Sequence, residues 1–298
     1  MAGAGDHRPA GEAPAATPWW ARRPITRKQL TELAAAAVLS CLAFVGLFPY
    51  LYMLETAFKS NSQFNRNEAT PTLPFHFGNF ATAWREVAPY LLSSIIVAAC
   101  AMFGCILLGS VSGFVLARYH FPGRNVLFGL IALLLLVPNL ASLIPLFVLM
   151  RDLGLLNSYP DLIIPQLTTQ TVFSVVLMKT YIEQLPEELF DAADIDGATP
   201  ARTYWSVTLP LARPIIATVA LFSVISVWSD YFWPELTIVK NSLRTVPVGA
   251  QFFQGQLTTS YGPLFAGYLI ASVPLLILFL ALTKNFLAGI QGGLAVDR

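Results

Sequence analysis

The chain has 298 residues and a net charge of +1, and 55% of its residues are hydrophobic whereas only 12% are charged. Soluble domains usually carry about 25% charged residues, so the composition excludes an ordinary soluble domain. The near-neutral charge gives no indication of nucleic-acid binding. Several charge-free stretches reach the roughly 20 apolar residues that a membrane span needs, which predicts an all-α integral membrane protein.

Residues 1–30 are rich in Ala, Gly and Pro and are predicted to form a disordered cytoplasmic tail. We predict six transmembrane helices in one membrane domain, residues 31–290, followed by a cytoplasmic tail, residues 291–298. Prolines inside several spans are tolerated where neighbouring helices satisfy the backbone, so we expect a bundle. The predicted spans are Leu33–Leu54, a segment within Val87–Ala117, Asn125–Met150, Leu162–Met178, Pro214–Pro234 and Pro263–Thr283.

The distribution of basic residues predicts the orientation of the bundle. With the N-terminus in the cytoplasm, twelve of the eighteen Lys and Arg residues fall on the cytoplasmic side and six on the other side. Both termini are therefore predicted to be cytoplasmic.

The cysteines and histidines form no recognisable site in the sequence. The three cysteines lie in apolar stretches without CxxC spacing, and the three histidines are isolated. These patterns predict neither a metal site nor a disulfide. The sequence also has no cluster of intramembrane acids and bases, so no catalytic residue is predicted.

The predicted cytoplasmic loop Glu183–Pro214 carries six of the seventeen acidic residues of the chain. We predict that it forms a helix, a turn and a second helix. Pro186 suits the first turn of the first helix, and Gly197 is placed to end that helix with a left-handed backbone. Thr199 can cap the second helix, which has Pro200 at its first position and runs to about residue 208.

Apolar residues recur at helical spacing in the first helix of this loop, at Leu185, Leu189, Ala192 and Ala193. Small side chains among them let another surface approach closely. Such a helix can lie in a groove of a soluble partner or against its own bundle. The acids argue against a helix that lies on the membrane surface, because the cytoplasmic leaflet is negatively charged. The residue pattern alone leaves the docked and the self-packed interpretations open.

The loop resembles the EAA motif of permeases in binding-protein-dependent ABC importers. That motif is Glu-Ala-Ala, three residues, Gly and a downstream Leu-Pro. Asp191 stands where glutamate is usual, which keeps the charge. The matching runs are Asp191-Ala192-Ala193, Asp196-Gly197-Ala198 and Leu209-Pro210-Leu211. Other segments, among them Phe48-Pro49, residues 117–124 and residues 244–249, are similar to the smaller, MalG-like permeases of carbohydrate importers.

The resemblance implies a type I ABC importer permease fold in a bacterial inner membrane, with a coupling loop that sits in a groove of an ATPase subunit. It implies four partners: a second, MalF-like permease, two copies of a cytoplasmic ABC ATPase, an extracytoplasmic sugar-binding protein, and membrane lipid. The residues implied in ATPase coupling are Glu188, Leu189, Asp191, Ala192, Ala193, Asp196, Gly197 and Ala198.

The implied function is import of a sugar or oligosaccharide by alternating access. The sequence has no Gly-x-x-x-x-Gly-Lys-Ser/Thr phosphate loop. We therefore expect no enzymatic activity and no cofactor in this chain, with ATP and Mg²⁺ held by the partner ATPases. The alternatives are another cargo such as glycerol phosphate, which would favour basic residues along the pathway, and a membrane-embedded enzyme.

Polar and aromatic residues of the fourth and fifth spans are candidates for the solute pathway. Aromatic faces stack on sugars, and carboxylates accept hydrogen bonds from hydroxyls. Helix–helix hydrogen bonding is the alternative role in span four. In span five, Asp230 is predicted about 24 Å along the helix, a depth that favours an aromatic belt at the membrane boundary. The candidates are Gln166, Thr169, Gln170, Trp228, Asp230 and Tyr231.

Overall fold

The computed structural model describes residues 27–249 and 260–295, and the regular elements in these residues are all helical. A π-helical segment, Tyr204–Thr208, joins α8 to α9. The helices are α1 (Arg27–Ala57), α2 (Asn61–Arg66), α3 (Gly78–Arg118), α4 (Arg124–Leu134), α5 (Leu143–Asp152), α6 (Tyr159–Ile182), α7 (Glu188–Ile195), α8 (Pro200–Thr203), α9 (Leu209–Leu211), α10 (Arg213–Ser229), α11 (Phe232–Thr237), α12 (Val246–Gly249) and α13 (Tyr261–Ala295).

In the described part of the chain, four helices are long and apolar enough to cross a membrane, namely α1, α3, α6 and α13. Two bent pairs of helices bring the number to six if each pair forms one span. In one pair the helical segments before and after the α4–α5 break meet at 90°, and in the other the segment Pro200–Leu211 meets α10 at 76°. The predicted all-α membrane fold is confirmed, with four to six candidate spans among the described residues.

The predicted third span, Asn125–Met150, is not one continuous helix. The helix α4 ends at Leu134, and the chain turns before α5 begins. Pro138 lies at this break with an extended backbone, with a ψ of 123°. Proline lacks a backbone N–H and disfavours helix in the residue before it, which explains the interruption.

The predicted fifth span also ends earlier than expected. We predicted a helix reaching Pro234, but α10 ends at Ser229 and the separate helix α11 follows. Asp230 has an extended backbone, with a ψ of 110°. Its carboxylate Oδ1 accepts the N–H of Trp233 at 3.3 Å. Asp230 lies one residue before the N-cap Tyr231, and its carboxylate satisfies one of the free N–H groups at the start of α11, so the break is locally stabilised.

The first and last helices extend beyond the predicted limits of the membrane domain. The helix α1 begins at Arg27, inside the predicted tail of residues 1–30, because residues 27–33 are mostly good helix formers without proline. The rest of that tail lies outside the described residues. The helix α13 continues to Ala295, past the predicted boundary at 290, since each further residue adds a backbone hydrogen bond. Residues 296–298 lie outside the described residues.

Two compact units divide the chain at Pro49 and Tyr50, within α1. In the first unit, the rings of Phe44 and Phe48 lie 6.4 Å apart along one face of the helix. In the second unit, the 41-residue helix α3 is central and packs against α6, α10 and α13. The second unit therefore contains the core of the bundle.

The contact between α3 and α6 depends on glycine. A Cβ added at Gly109 would overlap the side chain of Ser174, and one added at Gly113 would lie 2.6 Å from the Cβ of Met178. Neither position has room for a side chain, so the two helix backbones approach closely. Gly109 and Gly113 form a Gly-x-x-x-Gly motif, which packs membrane helices in this way.

Hydrogen bonds fix the connecting segments at the end of the bundle remote from the loop Glu183–Pro214. Asn157 has a positive φ of 59°, which asparagine tolerates better than most residues. Its Oδ1 accepts the N–H groups of Val239 and Lys240 at 3.0 and 2.8 Å. These bonds join the start of α6 to the segment that follows α11.

Candidate functional site

The turn that ends α7 has the predicted geometry. The N–H of Ala198 donates to the carbonyl of Ala193 at 2.9 Å, and the N–H of Gly197 donates to the carbonyl of Asp194 at 3.0 Å. These two bonds form a Schellman motif. Gly197 has a φ of +68°, and a Cβ added there would meet open space. Glycine is therefore favoured here by its backbone angle and not by a lack of space, and the predicted helix end is confirmed.

The second helix of the loop also begins as predicted. The hydroxyl of Thr199 accepts the N–H of Arg202 at 3.4 Å, with Pro200 in the first turn. The helix then widens into the π-helical segment and continues through α9 to Leu211. It is therefore longer than the predicted helix, which ended near residue 208. At its end the chain turns into α10.

The first helix of the loop starts later than predicted. Pro186 precedes α7, which begins at Glu188 with Glu187 as its N-cap residue. The residues before it still belong to the turn that leaves α6, because the N–H of Leu185 donates to the carbonyl of Ile182 at 3.2 Å. The acids after the proline nevertheless lie at the positive end of α7, as predicted.

The two faces of α7 have different environments. Phe190 and Ala193 are buried, with 3% and 9% of their surfaces exposed. Leu189 and Ile195 are 41% and 86% exposed, and Ala192 is exposed as well. The predicted apolar stripe is thus divided between a face packed on the bundle and an exposed face. Neither the docked nor the self-packed interpretation describes the whole helix.

Acidic and apolar side chains are mixed on the exposed part of α7 and its C-cap. Glu188, Asp191, Asp194 and Asp196 are all exposed. The exposed apolar residues Leu189, Ala192 and Ile195 are interspersed among them. Together these seven residues are called the exposed face of α7 below. Among the other residues predicted for coupling, Gly197 and Ala198 lie in the turn and Ala193 faces inward.

The buried face of α7 and the π-helical segment are anchored on α3. The guanidinium carbon of Arg118 lies 3.8 Å from the ring centroid of Phe190, a cation–π contact. The Oη of Tyr204 lies 2.7 Å from the Oγ of Ser110 in a buried hydrogen bond. The rings of Tyr204 and Phe114 are 5.5 Å apart. The three α3 residues are spaced i, i+4 and i+8, so one face of α3 receives the loop.

Three of the predicted pathway residues are linked by hydrogen bonds between α6 and α10. The amide of Gln166 donates to Asp230 Oδ2 at 2.6 Å, and the amide of Gln170 donates to the hydroxyl of Ser226. That hydroxyl donates in turn to Gln166 Oε1 at 3.4 Å. The helix–helix hydrogen bonding considered for span four is therefore observed, in a polar ladder of four residues.

The other predicted pathway residues have different surroundings. The hydroxyl of Thr169 donates to the carbonyl of Pro165 in its own helix at 3.0 Å. Trp228 is 8% exposed, and its indole N–H donates to the carbonyl of Ala271 at 3.2 Å. Tyr231 lines an open hollow of about 290 Å³ together with residues of α5 and α11. Trp228 therefore packs against α13 and does not belong to an exposed aromatic belt.

Sequence reasoning missed residues that anchor the loop. Phe190 and Ala193 are spaced i, i+3, so a stripe through these two residues was visible in the sequence. The stripe through Leu189 has more members in the sequence, which obscures the shorter one. No sequence signal placed Ser110 opposite Tyr204, because they belong to elements that are distant in the chain.

The fold and the loop define a class of protein, a multi-pass helical membrane protein with a capped, acidic helix–turn–helix between two spans. The sequence model of the family described as "Binding-protein-dependent transport system inner membrane component" matches residues 105–291. This match covers more than half of the chain and includes the whole loop. The chain belongs to this family, and is thus a membrane-spanning permease subunit of an ABC importer.

Curated relatives and a solved structure agree with this family. The chain is 31% identical over 248 residues to the probable ABC transporter permease protein YurM of Bacillus subtilis, covering 83% of this chain and 82% of the relative. It is 30% identical over 258 residues to the arabinooligosaccharides transport system permease protein AraQ of Halalkalibacterium halodurans, covering 85% and 92%. A bacterial ABC transporter involved in alginate import has the same fold, with a TM-score of 0.74, 22% identity, and coverage of 88% of this chain and 98% of that one.

Proposed function

We propose that this permease moves a sugar or oligosaccharide into the cytoplasm by alternating access, driven by ATPase subunits that bind the exposed face of α7. A binding protein outside the membrane would deliver the solute, as the description of the family implies. The complete transporter would contain a second, related permease and two copies of the ATPase. ATP and Mg²⁺ would be bound by the ATPase subunits.

The observation that carries the ATPase contact is the composition of the exposed face of α7. Ile195 is 86% exposed and stands among four exposed carboxylates. Carboxylates are costly in the hydrocarbon of a bilayer, whereas the isoleucine side chain is poorly placed in water. A groove in a soluble partner suits both, with an apolar floor for the helix and water or cations at its rim.

The loop is proposed to lie in the cytoplasm, where the ATPases would be. The distribution of basic residues favours this orientation. The exposed carboxylates of α7 support it, because a neighbouring anionic leaflet would repel them and leave the helix free for a protein partner.

The proposed sugar cargo is supported by relatives and by polar groups in the bundle. The AraQ protein is named for arabinooligosaccharide transport, and the solved relative for import of the polysaccharide alginate. The amides of Gln166 and Gln170 and the carboxylate of Asp230 bond one another across two spans. When the helices separate, sugar hydroxyls can form hydrogen bonds with these groups in place of the bonds between the helices. Tyr231, beside the open hollow, offers an aromatic face.

Transport by the complete complex tests the proposed cargo. The permease is purified with its natural partners, reconstituted in lipid vesicles, and supplied with its binding protein and a panel of radiolabelled sugars. We expect ATP-dependent uptake of one class of sugar. Uptake of glycerol phosphate with no uptake of any sugar would contradict the proposed cargo.

The same preparation tests the ATPase contact. In Ile195→Lys, an ammonium group would enter the apolar part of the groove, so ATPase co-purification should fall at least about tenfold. The matched control is Val239→Lys, which changes a residue with 80% exposure at the opposite end of the bundle. Normal co-purification with Ile195→Lys would show that the exposed face of α7 is not the contact.

A further inference from the structure

The contacts of the loop with α3 differ in kind from its links to the other spans. The loop is continuous in the chain with α6 at one end and with α10 at the other. Movement of the loop therefore reaches these two helices through the backbone. The helix α3 is remote in sequence, and in the described residues it meets the loop through side chains. Any force on the loop enters α3 through those side chains.

Among these contacts, the bond between Tyr204 and Ser110 is the one that is both buried and directional. Ser110 is 1% exposed and Tyr204 is 6% exposed. The ion pair between Arg118 and Glu187 has an N–O distance of 3.9 Å, and its Glu187 side chain is 79% exposed, so it is weak. The ring contacts permit sliding, since dispersion attraction has no fixed direction.

Ser110 has a second hydrogen-bond partner besides Tyr204. Either hydroxyl can donate in the 2.7 Å bond between Ser110 Oγ and Tyr204 Oη. When Ser110 Oγ donates to the carbonyl of Leu107 in its own helix, at 3.3 Å, its single proton is engaged and Tyr204 is the donor. Removal of the Tyr204 hydroxyl leaves Ser110 with its partner Leu107. Removal of the Ser110 hydroxyl leaves a buried tyrosine hydroxyl without an acceptor.

The helix α3 passes movement on as part of a larger rigid body. Gly109 and Gly113 hold its backbone against α6 at Ser174 and Met178. Displacement of α3 along its axis therefore carries α6, on which Gln166 and Gln170 lie. If the loop is held rigidly on α3, α6 moves together with the loop. If the loop can slide on α3, α6 can bend at its C-terminal end, where the loop begins.

We infer that Tyr204 and Ser110 are a positioning pair that ties movement of the ATPase-binding loop to α3, so that ATP hydrolysis is converted into helix movement. This inference rests on the proposed function of the loop. Tyr204 is 6% exposed and packs against α3. Its hydroxyl fixes the position of the π-helical segment on α3 while the exposed face of α7 remains free for the ATPase.

The decisive variant is Tyr204→Phe in the reconstituted complex with its binding protein and ATPases. The hydroxyl is lost, but the ring and its packing on Phe114 are kept. We expect normal ATPase co-purification, continued ATP hydrolysis, and about two- to tenfold less solute transported per ATP, the range expected for one net hydrogen bond. The control is Tyr119→Phe, since the Tyr119 ring packs edge-on against Phe114 at 5.7 Å and is 39% exposed.

A double variant separates coupling from stability. Ser110→Ala alone should lower the melting temperature, because the tyrosine hydroxyl is left unsatisfied. Ser110→Ala combined with Tyr204→Phe should recover the melting temperature but keep the low ratio of solute to ATP. Recovery of that ratio in the double variant would show that the pair only stabilises the fold, and would overturn the inference.

The outcomes also distinguish this inference from the proposed function on which it rests. If Tyr204→Phe transports normally per ATP while Ile195→Lys blocks ATPase binding, the positioning pair is wrong and the proposed docking survives. If Ile195→Lys leaves ATPase binding intact, the docking proposal fails. The ratio of solute to ATP in Tyr204→Phe then still decides whether the pair contributes to coupling.

Discussion

At the scale of single residues, Gly197 allows backbone strain to be separated from steric contact. Its φ is +68°, and a Cβ there would meet open space. In Gly197→Val, a left-handed conformation at a β-branched residue should cost about 1–2 kcal/mol and open the Schellman turn. We expect several-fold less uptake per ATP, measured in vesicles with the complete transporter.

Gly197→Asn is the matched control, because asparagine adopts left-handed angles more readily than valine. The asparagine variant should keep most of the coupling. Equal losses in both variants would mean that the surface of the turn matters and its backbone angle does not.

The residue scale also shows what sequence reasoning can and cannot predict. Gly197 and Thr199 were placed correctly because turn and cap preferences depend on backbone angles within a few residues. The buried face of α7 was not predicted correctly, since Leu189 and Phe190 are both large and apolar. Which of them is covered depends on where α3 lies, and that information is not local.

At the scale of helices, the joint between α3 and α6 makes a sharp prediction for Gly109. A leucine there would overlap Ser174 and force the helices apart, because membrane helices packed through Gly-x-x-x-Gly have no spare volume. We expect Gly109→Leu to lose at least about 1–3 kcal/mol of stability, measured as a lower melting temperature of the purified protein.

Gly129→Leu in α4 is the control for helix propensity and added hydrophobic bulk. A Cβ at Gly129 meets nothing within 4 Å. This variant should have the stability of the parent protein or slightly more, since leucine is a better helix former than glycine. A similar loss in the two variants would exclude close packing at Gly109 as the cause.

Helix boundaries were predicted correctly where the signals are local. They were predicted wrongly where a proline could either lie inside a helix or end it. Pro165 lies inside α6 and Pro274 inside α13, whereas Pro138 lies at a 90° break. The same residue type is tolerated or disruptive depending on which neighbours satisfy the free carbonyls. Composition therefore predicted the number of apolar segments but not which of them bend.

At the scale of the whole molecule, α1 is distinguished by its exposure. None of its apolar window is buried, whereas 39% of the window of α3 is buried. We expect the second permease proposed above to cover part of α1 in the complete transporter. A photo-reactive amino acid at Leu42, which is 63% exposed, should then form a cross-link to that subunit, visible as a larger band on a gel.

The control uses the same Leu42 substitution in membranes that contain this permease but lack the second one. The larger band should be absent there. Absence of the band from the complete transporter as well would indicate that lipid alone surrounds this part of α1.

The close contact of Gly109 with Ser174 has a consequence for how the sequence can change over time. The two positions share one volume, so the fitness of a substitution at either depends on the residue at the other. Once Ser174 has become glycine, an added methyl group at 109 no longer overlaps a side chain and is limited only by the backbone carbonyl carbon 3.2 Å away. In the reverse order the methyl group overlaps the serine side chain and is harmful. The permitted order of mutations is therefore set by the space between two helices, and the two positions drift as a linked pair.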